Sequence, residues 1–324
     1  GRMKSLTRLL VALAIALSPP ALLAQKYPTK PVRVVSPDSP GSNMDVIARL
    51  VGQDLSEVLG QAVVIENRPG AGGIIGSDAV AKSSPDGHTL LMVTAYAVVV
   101  NPFLYDKLPY NPDTDLAPVS LLGTAPFALF VSTAGGVNSF GDLLARVKAN
   151  AGKTNAGTAT QGSLLHLTLE LLRRDTGMEF TYVPYKGSTA AGTALVQGEI
   201  ELLVDTFTPM MPFVKSGRIR PIGVSSLRRV PMAPDVPTFD ELGVKGFDAN
   251  GWAGVFAPGK TPREVRDVLE AAIARVVAGS KIRERFESLS WTASGAGSNE
   301  LALLIRKDRD RWGPVVKSLG LRIQ

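Results

Sequence analysis

The chain has 324 residues, enough for two domains or one large one, with 45% hydrophobic residues, 6% aromatics and a formal charge of +6. This composition argues against disorder, and the charge, which falls to about +3 without Arg2, Lys4 and Arg8, is too weak and scattered for a nucleic-acid surface. There is no cysteine, and the two histidines, His88 and His166, lack carboxylates at metal-ligand spacing, which speaks against thiol chemistry, disulfides and a metal centre.

Residues 1–24 read as a secretory signal: basic residues, an apolar run from Leu9 to Leu17, then Pro19-Pro20 and Ala21 to Ala24, with cleavage expected after Ala24. The run is short of the ~20 residues of a membrane span, so an anchor helix is the lesser alternative. Export without cysteine points to a bacterial periplasm. After a turn-rich stretch, Val32 to Ser36 predicts a strand that breaks at Pro37-Asp38-Ser39-Pro40-Gly41-Ser42. An amphipathic helix follows, with Val46, Ile47, Leu50, Val51, Leu55, Val58 and Leu59 on one face and Gly60 as its stop. Strand, tight turn and helix start make an anion site, because the first helical amides lack partners and the dipole favours negative charge there.

A strand at 62–66, a turn at Gly70-Ala71-Gly72-Gly73, a helix at 74–82 and a strand at 89–93 complete a βαβαβ run, which predicts parallel pairing. The glycines lack the dinucleotide spacing and are read as a tight turn at the mouth of a cleft. Residues 94–120 read as irregular and polar. A strand at 127–131, a helix at 139–150 and a strand at 154–158 follow. That last strand breaks at Ala159-Thr160-Gln161-Gly162-Ser163 into a helix at 164–174 with Ser163 as its N-cap. This repeats the opening device and supplies the second half of a clamp. Strands at 179–185, 200–205 and 220–225 alternate with helices at 189–197 and 209–216. A strand at 252–257 and two helices, 262–279 and 299–319, close the chain. The expected division is 25–125 with 223–324 as one domain and 126–222 as an inserted second, hinged near 122–131 and 218–225.

Several strings occur in a telling order: Tyr27-Pro28, Pro40-Gly41 ahead of Asp45, Glu66-Asn67-Arg68-Pro69-Gly70-Ala71-Gly72-Gly73, Ser84-Pro85-Asp86-Gly87, Leu108-Pro109-Tyr110, Gly162-Ser163-x-x-His166, Val183-Pro184-Tyr185-Lys186-Gly187 and Ala233-Pro234-Asp235-Val236-Pro237-Thr238. In these the mature chain resembles the Bug family, the TctC-like periplasmic solute receptors of tripartite tricarboxylate transporters. The resemblance implies an α/β, two-domain periplasmic binding protein of the type II kind, each domain a mainly parallel sheet flanked by helices, with the ligand cleft between them. It implies a monomeric receptor without enzymatic activity or cofactor. The expected partners are a small organic acid, held by backbone amides and water, and either membrane permease subunits or a sensor protein.

Carried over by position, the ligand loops are Pro37, Asp38, Ser39, Pro40, Gly41 and Ser42, and Thr158, Ala159, Thr160, Gln161, Gly162 and Ser163. Asp205 stands where the family has an Asp facing the distal ligand group, beside Thr206 in place of a common Asn. Two positions depart from the family pattern: Asp38 replaces an aromatic residue and Ser42 a second Gly. A carboxylate beside an anion clamp is costly for an anionic ligand unless paired. Either Asp38 favours a ligand with an amine, amide or hydroxyl group, or a monoacid, or it faces solvent or caps its own turn. Tyr96, after a strand end, is expected to line the cleft. Lys186 either meets a ligand carboxylate or stays on the surface. Arg68 is read as bracing its own turn, Asp45 as a dipole partner, and His166 as a capping or packing residue. The competing readings are an exported hydrolase or transferase, which needs a nucleophile–base pair in the cleft, and a sensor domain with no transported ligand.

Overall fold

The computed structural model describes residues 27–159 and 162–322; the expected leader, Thr160 and Gln161 lie outside the described residues. β1 (Val32–Ser36) passes through the 37–42 turn into α1 (Asn43–Leu59), followed by β2 (Val63–Asn67), α2 (Ile74–Ala81) and β3 (Thr89–Thr94). α1 starts where Ser42 Oγ accepts the Asp45 amide at 3.2 Å, and stops where Gly60 turns left-handed at φ +68°. Its buried stripe of Met44, Ile47, Ala48, Val51 and Leu55 shares one apolar cluster with Val32, Val34 and Leu90 of the sheet.

Past β3 the chain is more regular than the reading of residues 94–120 allowed. Tyr96–Val100 form one wide π-type turn that runs into α3 (Asn101–Leu104), and a ten-residue strand, β4 (Leu116–Ala125), follows. The β-branched Val98, Val99 and Val100 disfavour a helix locally, so tertiary contact holds this turn: all three are buried, and Arg309 donates to the Val98 carbonyl at 3.1 and 2.7 Å. Pro118 disguises β4. It pairs with Phe256 at a register shift, where a missing amide is tolerated.

The chain crosses at Pro126-Phe127 into a second set of elements: β5 (Ala128–Ser132), α4 (Phe140–Ala149), β6 (Asn155–Thr158), α5 (Leu164–Thr176), β7 (Thr181–Pro184), α6 (Ser188–Gln197), β8 (Leu202–Asp205), α7 (Phe207–Lys215) and β9 (Ile219–Val224). The boundary expected after residue 222 falls inside β9, and Val224 goes on to bridge Thr238. The return comprises β10 (Gly251–Pro258), α8 (Arg263–Val277), α9 (Ser280–Ser288), β11 (Thr292–Gly297) and α10 (Ser298–Ser318). Two closing helices were expected where the chain has three and an edge strand. β11 leaves little mark in the sequence: Thr-Ala-Ser-Gly-Ala-Gly carries little strand propensity, and Gly295 sits at φ +72° within a register shift.

The sheets run β11-β4-β10-β3-β1-β2 and β7-β6-β8-β5-β9. The two-domain α/β architecture is as expected, but the sheets are mixed rather than mainly parallel. β1 pairs in parallel with β2 and β3, and β6 with β7 and β8; β10 is antiparallel to β3 and β4, and β5 to β8 and β9. β5 and β10 arrive from the other sheet instead of through a helical crossover, and only the crossover enforces parallel pairing.

The two passages between sheets lie side by side. Ser225 donates its amide to the Phe127 carbonyl at 2.9 Å, the Phe127 amide donates to Ser225 Oγ at 2.8 Å, and that hydroxyl donates to Asn250 Oδ1 at 2.9 Å. Ser225 is buried, so Ser225→Ala leaves the Phe127 amide without its acceptor; a loss on the order of 1–3 kcal/mol is expected in urea unfolding.

Candidate functional site

In both sheets the parallel strands end on one edge, and there the loops gather, as ligand sites do in α/β proteins. On the first edge, the turns after β1 and β2 and the residues after β3 enclose a hollow of about 330 Å³. Pro37, Asp38, Ser39 and Tyr96 line it, with Thr94 and the Pro69–Gly73 turn. Pro40, Gly41 and Ser42 do not; they build the turn.

That turn is tied down by a residue read from the sequence only as a dipole partner. Asp45 is buried, and its carboxylate accepts the Gly41 amide at 2.9 Å, Arg49 Nε at 3.1 Å and Asn67 Nδ2 at 2.9 Å. Burial alone would raise its pKa, but the bonds from Arg49, Gly41 and Asn67 win and hold it below the ordinary value. Asn67 also donates to the Asp38 carbonyl at 3.0 Å, so one amide side chain fixes the turn from both ends. With Gly41 and Asp45 amides consumed, the Asn43 and Met44 amides at the start of α1 have no partner among the described residues.

The Gly70–Gly73 turn is strained. Ala71 sits at φ +47°, in the left-handed region, and a Cβ at Gly72 would stand 3.1 Å from the Tyr105 hydroxyl. Fully buried Asn101 donates to the Gly72 carbonyl at 2.9 Å and holds it, a role no local pattern announces. Arg68 braces its own turn as expected, sharing Glu66 with Arg33. Burial, then Tyr105, push the Tyr96 hydroxyl up to about 12.

On the second edge the same device recurs with different chemistry. Ser163 Oγ accepts the His166 amide at 3.4 Å, and His166 Nδ1 accepts the Gly162 amide at 3.0 Å. Gly41 and Gly162 both adopt left-handed conformations, φ +82° and +77°. In each jaw, then, a glycine precedes a serine cap, and the side chain three residues beyond the cap reaches back to the glycine amide, a shifted form of the capping box. His166 is buried and stacks on Tyr182 with ring centroids 3.9 Å apart; Tyr182 in turn bonds Thr158 Oγ1 at 3.1 Å. Nδ1 as acceptor places the neutral ring's proton on Nε2, which faces Glu170 at 3.7 Å. Thr158 is therefore buried in the brace, and Ala159 accepts the Gly187 amide with its carbonyl. Lys186 is exposed, with no ion pair among the described residues. None of these second-edge residues lines the first hollow.

Both histidines are committed. His88 Nε2 accepts the Thr29 amide at 3.3 Å, and among the described residues neither ring nitrogen of His166 meets a hydroxyl. Among the described residues no three His, Cys, Asp or Glu side chains are placed to hold a metal.

Asp205 ends β8 between the starts of α6 and α7. Its Oδ1 accepts Ser188 Oγ at 3.0 Å and the Thr206 amide at 2.7 Å, while Oδ2 is buried without a partner among the described residues. Burial pushes its carboxyl up to about 6 against those bonds. The folded state holds this proton more tightly than the unfolded chain, so the group's contribution to stability is full below its ordinary pKa of 3.8 and is lost as pH rises through about 6. Asp205→Asn keeps the acceptor without the charge. It is expected to unfold on the order of 1–3 kcal/mol less readily than the parent at pH 8 and with little difference at pH 4, read by urea titration at both pH values.

Comparison with known proteins agrees with this architecture. Residues 47–321 match the model of the tripartite tricarboxylate transporter family receptor. Protein BugT of Bordetella pertussis is 33% identical over 325 residues, spanning 99% of this chain and all of that one (100%). Two solved structures, Rpa4515 of R. palustris with adipate and MatC of Rhodopseudomonas palustris with bound malate, are each 32% identical, with TM-scores of 0.76 and 0.72. They cover 92% and 90% of this chain and 100% of their own. The expected resemblance therefore holds across the described fold, and with it the receptor reading over the hydrolase one. The chain belongs to the tripartite tricarboxylate transporter receptor family, whose members are solute-binding receptors and not enzymes.

Proposed function

We propose that this protein is a periplasmic receptor that closes two loop edges over a small organic carboxylate and hands it to the permease of a tripartite tricarboxylate-type transporter. The observation that carries the reading is the doubled helix start. α1 and α5 each follow a parallel strand, each begins at a serine cap, and each has its preceding glycine amide occupied by its own chain. At each helix start the amides of the first two positions have no partner among the described residues, and the dipole there also favours an anion. Brought together by closure, two such ends supply backbone donors for a carboxylate without a buried counter-charge. The family match and the adipate and malate held by related structures support this ligand class.

In this reading Pro37, Asp38, Ser39 and Tyr96 form the wall on one lobe. Thr158 to Ser163, Lys186 and Asp205 belong to the other, with Asp205 Oδ2 meeting the far end of the ligand. The lobes, 25–125 with 225–324 and 126–222 extended to the end of β9 at Val224, turn about Pro126-Phe127 and Ser225, where only two strands of chain need to flex.

Mass spectrometry of small molecules released on denaturing the periplasmically produced protein is expected to find an organic acid at near-stoichiometric amount; recovery of none from protein that also gives no binding heat with carboxylates rejects the reading. Asp45→Ala frees the Gly41 amide and unties Arg49 and Asn67. It is expected to weaken carboxylate binding at least tenfold and to cost on the order of 1–3 kcal/mol of stability, measured by calorimetry and urea unfolding.

A further inference from the structure

The charge lining the first hollow is negative. Its walls are Pro37, Asp38, Ser39, the Pro69–Gly73 turn, Thr94 and Tyr96, and Asp38 is the one charged side chain among them. No lysine or arginine lines it among the described residues. The guanidinium groups on this edge are already spent: Arg49 on Asp45 and Asn67, Arg33 and Arg68 on Glu66. The Asp38 carboxylate itself has no hydrogen bond or ion pair among the described residues, although its backbone is pinned by Asn67. Asp45, close behind, adds a second negative charge. Burial, then that neighbour, lift the Asp38 carboxyl above its ordinary value.

We infer that Asp38 is a specificity-determining residue that selects ligands carrying an ammonium or amide N–H group beside their single carboxylate, and rejects dicarboxylates. The inference rests on the carboxylate-receptor reading above. The ligand's carboxylate takes the amides at the helix starts, and its N–H group donates to Asp38 across the hollow. A second ligand carboxylate placed there meets a fixed like charge with no cation to offset it, whereas an ammonium or amide satisfies an oxygen that the protein leaves bare. This separates the chain from the related structures that hold malate and adipate.

The test is a matched panel read by isothermal titration calorimetry: succinate, glutarate and adipate, their monoamides, and the ω-amino acids of the same lengths, against the parent, Asp38→Asn and Asp38→Phe. Expected is a parent that binds an amide or amino member at least tenfold tighter than the dicarboxylate of equal length, with that ratio falling at least tenfold in Asp38→Asn. The near-isosteric Asn in a half-exposed turn leaves the fold intact, checked by the urea midpoint. A parent that prefers a dicarboxylate, or a ratio that moves less than twofold in both variants, overturns the role of Asp38 and leaves the receptor reading standing. Absence of heat from every member with folded protein overturns both together.

Discussion

Gly41 and Gly162 each donate one amide to a side chain four residues ahead, and the placement of both candidate ligand loops follows from that bond. A loop between a strand and a helix has several backbone groups to satisfy and several ways to satisfy them. Committing the glycine amide inward leaves one arrangement, in which the serine caps the third helical residue and the first two amides have no partner among the described residues. Left-handed glycine makes the reach possible, since a side chain at that φ would be strained. The acceptors differ: a carboxylate with three donors on one side, an imidazole stacked on tyrosine on the other. One jaw is held by charge-assisted bonds, the other by a neutral ring wedged in place.

Asp308 and Asp205, two of the buried acids, show how differently a folded chain can treat the same group. Asp308 is pushed up to about 6 by burial, yet both its oxygens are engaged, by Trp252 Nε1 at 2.8 Å and by Arg311 at 3.0 Å. It ties the central strand β10 to α10 and is structural. Asp205 is as deeply buried but leaves one oxygen bare at a strand end. An unmet acceptor in the packed interior is costly to keep, and its place at the loop edge fits a group retained for something other than stability.

Most of this frame was legible from local signals. The helix after Ser42 has its cap, its apolar stripe and its glycine stop written within one stretch of chain, and so does the helix after Ser163. The family strings then aligned the two loops. What escaped depends on partners distant in sequence. Asp45 sits in the first helical turn and is explained well enough by the dipole until Asn67, 22 residues away, is seen to bind it. Asn101 gives no hint that it holds Gly72. The valines at 98–100 look like strand or loop, and a helical turn forms there because the last helix covers it. Strand direction in β5 and β10 is set by which sheet the chain arrives from, and periodicity carries no record of that.

That cover over residues 98–100 bears on the order in which the molecule is completed. The carbonyl of Val98 borders the wall that contains Tyr96 and Ala97, and the group that satisfies it is the guanidinium of Arg309, 211 residues later. A chain emerging amino end first can form β1, α1 and the Gly41 cap early, but it cannot close this wall until nearly its whole length has arrived. This wall is thereby coupled to completeness: a fragment lacking the last helix keeps the sequence of both helix-start loops and lacks the guanidinium that satisfies Val98.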